Sequence, residues 1–385
     1  RFQTPSSTAM PHPHESHDHP EDADVSASQK KAGGWPALGA GLKHITAQKN
    51  TATTLKTLLK VNQPDGFDCP GCAWPEPDDP SRFEFCENGA KATLWELTKD
   101  RCTPDFFSAD GHTVTELREW SDHELEKSGR LTHPMKYDAA SDRYVPVHWD
   151  EAFAQIGATL RDLPRDDVVF YASGHAGLEA SYLYALLARA YGNNNLPQSS
   201  NMCHETTSVG LTKVIGSPVG TVTFDDLAET DCYFYFGQNP GTNSPRFLHN
   251  LKDLKDRGGK IVTFNPVIEQ GLVSFVDPQN PLAMMTGKET IISDQYHQLK
   301  SGGDVAAILG LCKVVVEADD EAQAAETHEV IDHDFIKQHT TGFDEFIACC
   351  RNTKWADIEQ ASGLTEAALR DAAQVYIDSE KPIGV

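Results

Sequence analysis

Cys203 and His204 lie in the polar run Asn193-Asn194-Asn195-Leu196-Pro197-Gln198-Ser199-Ser200-Asn201-Met202-Cys203-His204-Glu205-Thr206-Thr207-Ser208. A cysteine among Asn, Ser and Gln is poorly placed for core packing and well placed for thiolate chemistry. The run reads as a turn leading into a helix. The positive end of a helix favours the ionised thiol, as nucleophile or as metal ligand. A buried structural cysteine is the plainer alternative. A cysteine-protease dyad is disfavoured, because adjacent side chains diverge and the imidazole is badly aimed to act as base for its own neighbour.

A second group of thiols comes earlier: Cys69-Pro70-Gly71-Cys72, then Cys86 in Cys86-Glu87-Asn88-Gly89-Ala90-Lys91. Two thiolates in a C-x-x-C with glycine in the bend can chelate one metal ion or one face of an iron–sulfur cluster. Cys69, Cys72 and Cys86 are one short of the four donors that zinc or a [4Fe–4S] cluster normally takes. Cys102, in Arg101-Cys102-Thr103-Pro104, is a candidate fourth. A redox dithiol competes, although no βαβ pattern neighbours it. Cys232, Cys312, Cys349 and Cys350 fall in apolar patterns and read as core.

These residues need elements to hold them. Val168-Val169-Phe170-Tyr171-Ala172-Ser173 reads as a short strand, followed by a helix over 178–191 with Leu183, Leu186, Leu187 and Ala190 on one face. Cys232-Tyr233-Phe234-Tyr235-Phe236 reads as a strand, 237–243 as a loop and 245–257 as a helix that Gly258-Gly259 ends. Ile261-Val262-Thr263-Phe264 is the next strand. Two strands joined by a helix within about 30 residues make a βαβ unit with a parallel pair. Further helices are expected near 304–318 and 365–379.

The loop Gly237-Gln238-Asn239-Pro240-Gly241-Thr242-Asn243-Ser244-Pro245-Arg246 therefore sits where a strand's carboxyl end meets a helix. Open parallel sheets bind nucleotides at that edge, through free backbone N–H groups and the helix dipole. The loop lacks Gly-x-Gly-x-x-Gly, so an ordinary NAD fingerprint is absent; a structural turn is the alternative. Asn265-Pro266-Val267-Ile268-Glu269-Gln270-Gly271-Leu272 follows the next strand at the same end of the sheet.

A chain of 385 residues can hold two or three domains. Its formal charge of -24 argues against a nucleic-acid partner, and there is no Lys/Arg stripe. No apolar run is long enough to span a membrane. Nine cysteines, an odd number, read as thiols and ligands and not as a disulfide frame. No leader peptide is visible in a sequence that begins at Arg1, and the cytoplasm is the expected compartment. Residues 1–32 are rich in Pro, His, Ser and Asp and read as a disordered tail. There His12, His14, His17 and His19 are candidate metal ligands that such tracts usually leave solvated.

Together these motifs resemble the formate-dehydrogenase-like molybdopterin oxidoreductases, and in particular their YdeP-like subgroup. The resemblance runs from about Gly33 to the last residue. It is carried by Gly66-Phe67-Asp68-Cys69-Pro70-Gly71-Cys72-Ala73-Trp74-Pro75, Cys86 to Ala92, Ser200-Asn201-Met202-Cys203-His204-Glu205, and Gly237 to Asn243. It implies a Mo (or W) ion held by two molybdopterin guanine dinucleotides, with Cys203 resembling the protein ligand to the metal and His204 the neighbouring proton carrier. Asn201, Gly237, Asn239, Pro240, Gly241, Thr242, Asn243, Asn265 and Pro266 resemble residues that hold one pterin–guanosine moiety. Lys91 resembles the lysine between cluster and pterin, and Cys69, Cys72 and Cys86 resemble ligands of a [4Fe–4S] cluster. The third cluster cysteine of the family pattern is missing, and Gln198-Ser199 stands where relatives tend to carry Asp-Cys.

The implied fold is α/β: a loop-rich N-terminal lobe and two doubly wound parallel-sheet domains. Its expected divisions are a tail over 1–32, an iron–sulfur lobe over 33–147, the first part of an α/β domain over 148–200, and a second α/β domain over 201–385. Relatives would continue well beyond Val385, so the chain reads as a fragment or truncated product. The expected activity is two-electron, proton-coupled redox of a small substrate, formate first, with an electron-transfer protein as partner. Two alternatives stand beside it: a degenerate, non-catalytic relative, and a zinc module on Cys69, Cys72 and Cys86 with His112 as fourth ligand.

Overall fold

The computed structural model describes residues 31–46, 51–72, 74–78, 80–96, 102–172 and 176–385. The histidine-rich tail lies outside the described residues. In chain order the strands are β1 (Ala32–Gly33), β2 (Met135–Asp138), β3 (Arg143–Pro146), β4 (Cys232–Phe236), β5 (Lys260–Phe264), β6 (Ser274–Val276), β7 (Thr290–Ile291), β8 (Gln295–His297) and β9 (Pro382–Gly384). Two compact units result. Among the described residues, 102–167 form one, and 31–96 with 168–385 form the other.

The larger unit is built on a four-stranded parallel sheet in the order β8-β5-β4-β9. Its central strands β4 and β5 are mostly apolar and buried because both faces are covered, as parallel sheets require. Alternation along β4 divides the core. Tyr233 and Tyr235 face Leu248, Leu251 and Leu254 of the Phe247–Asp256 helix. Cys232 and Phe234 face Ala307, Ile358, Leu369 and Ala372, from the helices Asp304–Ala324, Trp355–Ser362 and Glu366–Ile377. Burying each such leucine contributes roughly 1.5–3 kcal/mol. Helices on both faces make this the doubly wound α/β arrangement expected. A small mixed sheet, β1-β6-β7, lies in the same unit, and β2 and β3 pair antiparallel in the smaller one.

The stretch 168–173 departs from expectation. Its described residues form no strand; Ala172 makes an isolated parallel bridge to Gln198, and the Phe170 N–H donates to the Asn195 carbonyl at 2.9 Å. A strand needs a neighbour in register along its length, and among the described residues the short 195–198 segment is the backbone that pairs with it. The Leu178–Tyr191 helix that follows has the expected bounds and ends on Gly192 at φ 91°.

At one end of the long Asp304–Ala324 helix, the buried Asp319 carboxylate accepts hydrogen bonds from the Val330 and Ile331 N–H groups, from Gln323, and from His333 Nε2 at 2.7 Å. Burial pushes the carboxyl up, but these donors outweigh it and hold it below the ordinary carboxylate value. A lowered folded-state value gives stability that is present above the unfolded pKa of ~3.9 and is lost as pH falls through the folded one. Asp319→Asn should therefore lower the urea midpoint at pH 7, with the gap to wild type closing below about pH 4. A gap independent of pH would refute the assignment.

Candidate functional site

The carboxyl ends of β4, β5 and β8 gather three loops at one edge of the sheet. After β4, Gly237 adopts φ 68° and its N–H donates to the Phe264 carbonyl at 2.9 Å. Asn239 caps a single helical turn, Pro240–Asn243, accepting from the Thr242 N–H at 3.2 Å. Its amide then donates to Glu269 Oε2 of the next loop at 2.7 Å. The buried Asn265 donates from Nδ2 to the Gln238 carbonyl at 3.1 Å and accepts from the Val267 N–H at 2.9 Å.

Gly241 and Gly271 press backbone to backbone. A Cβ on Gly271 would lie 2.7 Å from Gly241 Cα, and one on Gly241 would lie 3.0 Å from Gly271 Cα. The two loops are thus one interlocked piece, with Gln238, Thr242, Asn243, Pro266, Val267 and Ile268 exposed along it. Tyr296 ties in β8. Its hydroxyl accepts from the Glu269 N–H at 2.9 Å and donates to the Val267 carbonyl at 2.8 Å.

His297, at the end of β8, was not singled out by the sequence. It stacks on Phe264 at 4.9 Å, and Phe264 on Phe236 at 5.1 Å, so the last residues of three neighbouring strands form one ladder. Burial holds the His297 imidazole below its ordinary value, against a smaller opposite pull from Asp371. Gln298 donates to the Pro266 carbonyl at 3.3 Å, joining the loop after β8 to the same edge.

Cys69 and Cys86 come together. A Cβ on Gly89 would meet Cys69 Sγ at 2.9 Å and Cys86 Sγ at 3.8 Å, so the two sulfurs flank one glycine. The Gly71 N–H donates to Cys69 Sγ, and the Gly89 N–H to Cys86 Sγ, each at 3.3 Å. Burial pushes both thiols up, with those N–H donors opposing; Cys72 adds to the rise at both. Cys69 is pinned by Asn62, whose Oδ1 accepts its N–H at 2.7 Å.

Cys102 belongs to the smaller unit, where its thiol donates to the Ser128 and Gly129 carbonyls at 3.6 Å. His112 is in that unit too, 4.8 Å from the rings of both Phe106 and Trp120. Among the described residues no group of three or more His, Cys, Asp or Glu side chains could hold a metal ion. The zinc reading on Cys69, Cys72, Cys86 and His112 finds no support in that geometry.

The thiol lobe abuts the loops. Asn88, in the Glu87–Glu96 helix, donates to the Thr242 carbonyl at 3.2 Å. Lys91, half-buried on the same helix, lies close enough to His44 of the Gly34–Thr46 helix to lower its pKa, after the larger effect of burial there.

Cys203 and His204 stand on the Ser199–Ile215 helix, both exposed. The helix begins earlier than the polar run suggested, with Asn201 in its first turn and Cys203 fifth. Ser and Asn suit that first turn. The field of the helix end, which fades within one turn, is therefore weaker at Cys203 than expected. The thiol is in no disulfide.

A family model for molybdopterin oxidoreductases matches residues 130–375. The chain belongs to the molybdopterin oxidoreductase family. It is 44% identical over 360 residues to protein YdeP of Escherichia coli (strain K12), covering 93% of this chain and 47% of that one. An uncharacterized oxidoreductase of Mycobacterium tuberculosis (strain ATCC 25618 / H37Rv) is 38% identical over 369 residues, 95% of this chain and 46% of the relative. The F420-dependent formate dehydrogenase 1 subunit alpha of Methanococcus maripaludis is more distant, at 25% over 253 residues, 66% of this chain and 33% of the relative. Acetylene hydratase from Pelobacter acetylenicus shares the fold with a TM-score of 0.54 and 17% identity, over 81% of this chain and 36% of that one. The chain thus spans just under half the length of its YdeP and mycobacterial relatives. Among the described residues no helix is long and apolar enough to cross a membrane.

Proposed function

We propose that this chain supplies part of the metal-cofactor face of an oxidoreductase that carries out two-electron, proton-coupled redox of a small substrate, formate being the first to test. The observation that carries the reading is the pair of interlocked loops at the carboxyl edge of the sheet, in a chain of this family. Their chemistry fits a dinucleotide: a left-handed glycine, two glycines without side-chain bulk at the contact, and exposed amide and hydroxyl side chains around them. An exposed thiol likewise fits a soft metal. When bound, Mo (or W) in two molybdopterin guanine dinucleotides would supply the two-electron redox.

The chain's own residues do the rest. Gly237, Asn239, Pro240, Gly241, Thr242, Asn243, Asn265 and Pro266 hold one pterin–guanosine moiety, with Asn201 contributing from the helix. Cys203 is the protein ligand to the metal, and His204 beside it carries the substrate proton, as imidazoles do near neutral pH. Lys91 places a cation next to the thiol lobe and eases electron passage towards an electron-transfer protein. Cys69, Cys72 and Cys86 alone do not complete the donor set of a [4Fe–4S] cluster, so no step is assigned to one. All nine cysteines are free thiols, as a reducing compartment keeps them, and the cytoplasm is the compartment we propose.

The missing fourth donor favours one second reading, a relative that has lost its metal centre and serves as a partner-binding protein. Elemental analysis separates the two. The first reading expects Mo or W near one equivalent per chain in protein from a host that makes the cofactor, and the iron content then decides the cluster. Absence of both metals favours the second.

A further inference from the structure

We propose that Arg246 is the positioning residue of this centre: rooted at the base of the 237–244 loop, it clamps the thiol-bearing segment in fixed register with the cofactor edge of the sheet. The proposal rests on the function proposed above for that edge, and the clamp itself is visible without any cofactor. The Arg246 side chain is 8% exposed, although it is fully charged. Its Nη2 donates to Glu76 Oε2 at 2.8 Å and to Glu84 Oε1 at 2.7 Å. Nη1 reaches Glu76 Oε1 at 3.0 Å and the Trp74 carbonyl at 3.3 Å, and Nε reaches Glu84 Oε1 at 3.1 Å.

All of these partners lie between Cys72 and Cys86. One guanidinium therefore gathers the connection between the thiols and fastens it to the strand–helix junction after β4. Trp74 stacks on Phe247, the next residue after Arg246, with ring centroids 4.2 Å apart, and Asn88 adds the strut to Thr242. Only arginine has a planar fork able to serve two carboxylates and a carbonyl together.

Removing the guanidinium leaves two carboxylates facing each other without a counter-charge, which drives the segment off the sheet. In the proposed enzyme this frees the thiol-bearing segment from the loop edge that Asn88 and Trp74 hold it against.

The test is alkylation by iodoacetamide, followed by mass spectrometry across pH, on the purified full chain, with exposed Cys349 as internal reference. The limiting rate at high pH reports access. In R246M and R246K the limiting rate at Cys69 and Cys86 should rise at least tenfold over wild type. The rates at buried Cys232 and Cys350 should stay within twofold of wild type, because the clamp holds only the segment between the thiols. A general loss of structure would raise the rates at Cys232 and Cys350 as well.

Should R246M also expose core Cys350, the decision passes to R246K and the conservative pair E76Q and E84Q, each of which should raise the Cys69 rate at least threefold. Rates at Cys69 and Cys86 within twofold of wild type overturn the proposal. Because these readouts need no metal, their failure leaves the cofactor assignment standing, and protein without Mo or W would sink that assignment while the clamp remained.

Discussion

Cys203→Ala is expected to abolish turnover while leaving the fold intact. The side chain is exposed on the Ser199–Ile215 helix, so its loss removes no core packing. Alanine is also a better helix former than cysteine, by a few tenths of a kcal/mol, roughly. Stability should therefore be unchanged or slightly higher. Activity should behave differently, because losing a direct metal ligand should exceed the ~10–100-fold penalty typical of outer-shell partners. The check is formate-dependent reduction of an artificial acceptor dye, with the urea midpoint and Mo content measured on the same sample. Loss of more than a hundredfold in kcat at wild-type stability supports the ligand role. Full turnover in the alanine variant would remove Cys203 from the mechanism. His204→Gln separates the proton role: it should lower kcat without altering metal content.

That prediction rests on a residue that the sequence marks as a candidate, and the reason is chemical. A cysteine in a run of Asn, Ser and Gln is poor core packing, and the structure leaves it exposed on its helix, which sets the buried alternative aside. The β4–loop–helix–β5 unit was legible for a similar reason. Five consecutive apolar residues, a glycine-bounded polar loop, a helical period and a Gly-Gly stop are all local patterns, and the structure has β4 at Cys232–Phe236 and the helix at Phe247–Asp256.

Arg246 was not legible in this way. Its partners Glu76 and Glu84 lie 170 and 162 residues away, and no period or spacing links such a trio. The stretch 168–173 shows the converse. Its apolar composition is that of a strand, but strand formation depends on what lies alongside, and the described neighbour provides one bridge to Gln198 and one hydrogen bond to Asn195. The start of the Ser199–Ile215 helix was misplaced because Ser and Asn suit both turns and first helical turns, and only the hydrogen-bonded ladder distinguishes them.

Gly271→Ala should be the most damaging single methyl in the proposed cofactor edge. The added Cβ would sit 2.7 Å from Gly241 Cα and 2.8 Å from Gly241 N, and both neighbours are backbone, which cannot rotate aside. The loops must part, straining the 2.7 Å hydrogen bond from Asn239 to Glu269 that joins them. Overpacking of this kind costs about 1–3 kcal/mol. Gly258→Ala is the matched control. It also carries strain, since Gly258 has φ 87°, but its Cβ would meet nothing within 4 Å, and it lies before β5, at the opposite end of the sheet. Both variants should lower the urea midpoint, Gly258→Ala through a backbone penalty of about 1 kcal/mol. Only Gly271→Ala should also reduce the Mo content of the purified protein, because only it moves the loops proposed to hold the dinucleotide. Equal Mo content in the two variants would mean that the interlocked glycines serve the fold alone. A wild-type midpoint for Gly271→Ala would mean that the loops yield to a methyl group without resistance, and the contact between Gly241 and Gly271 would then carry no positioning role.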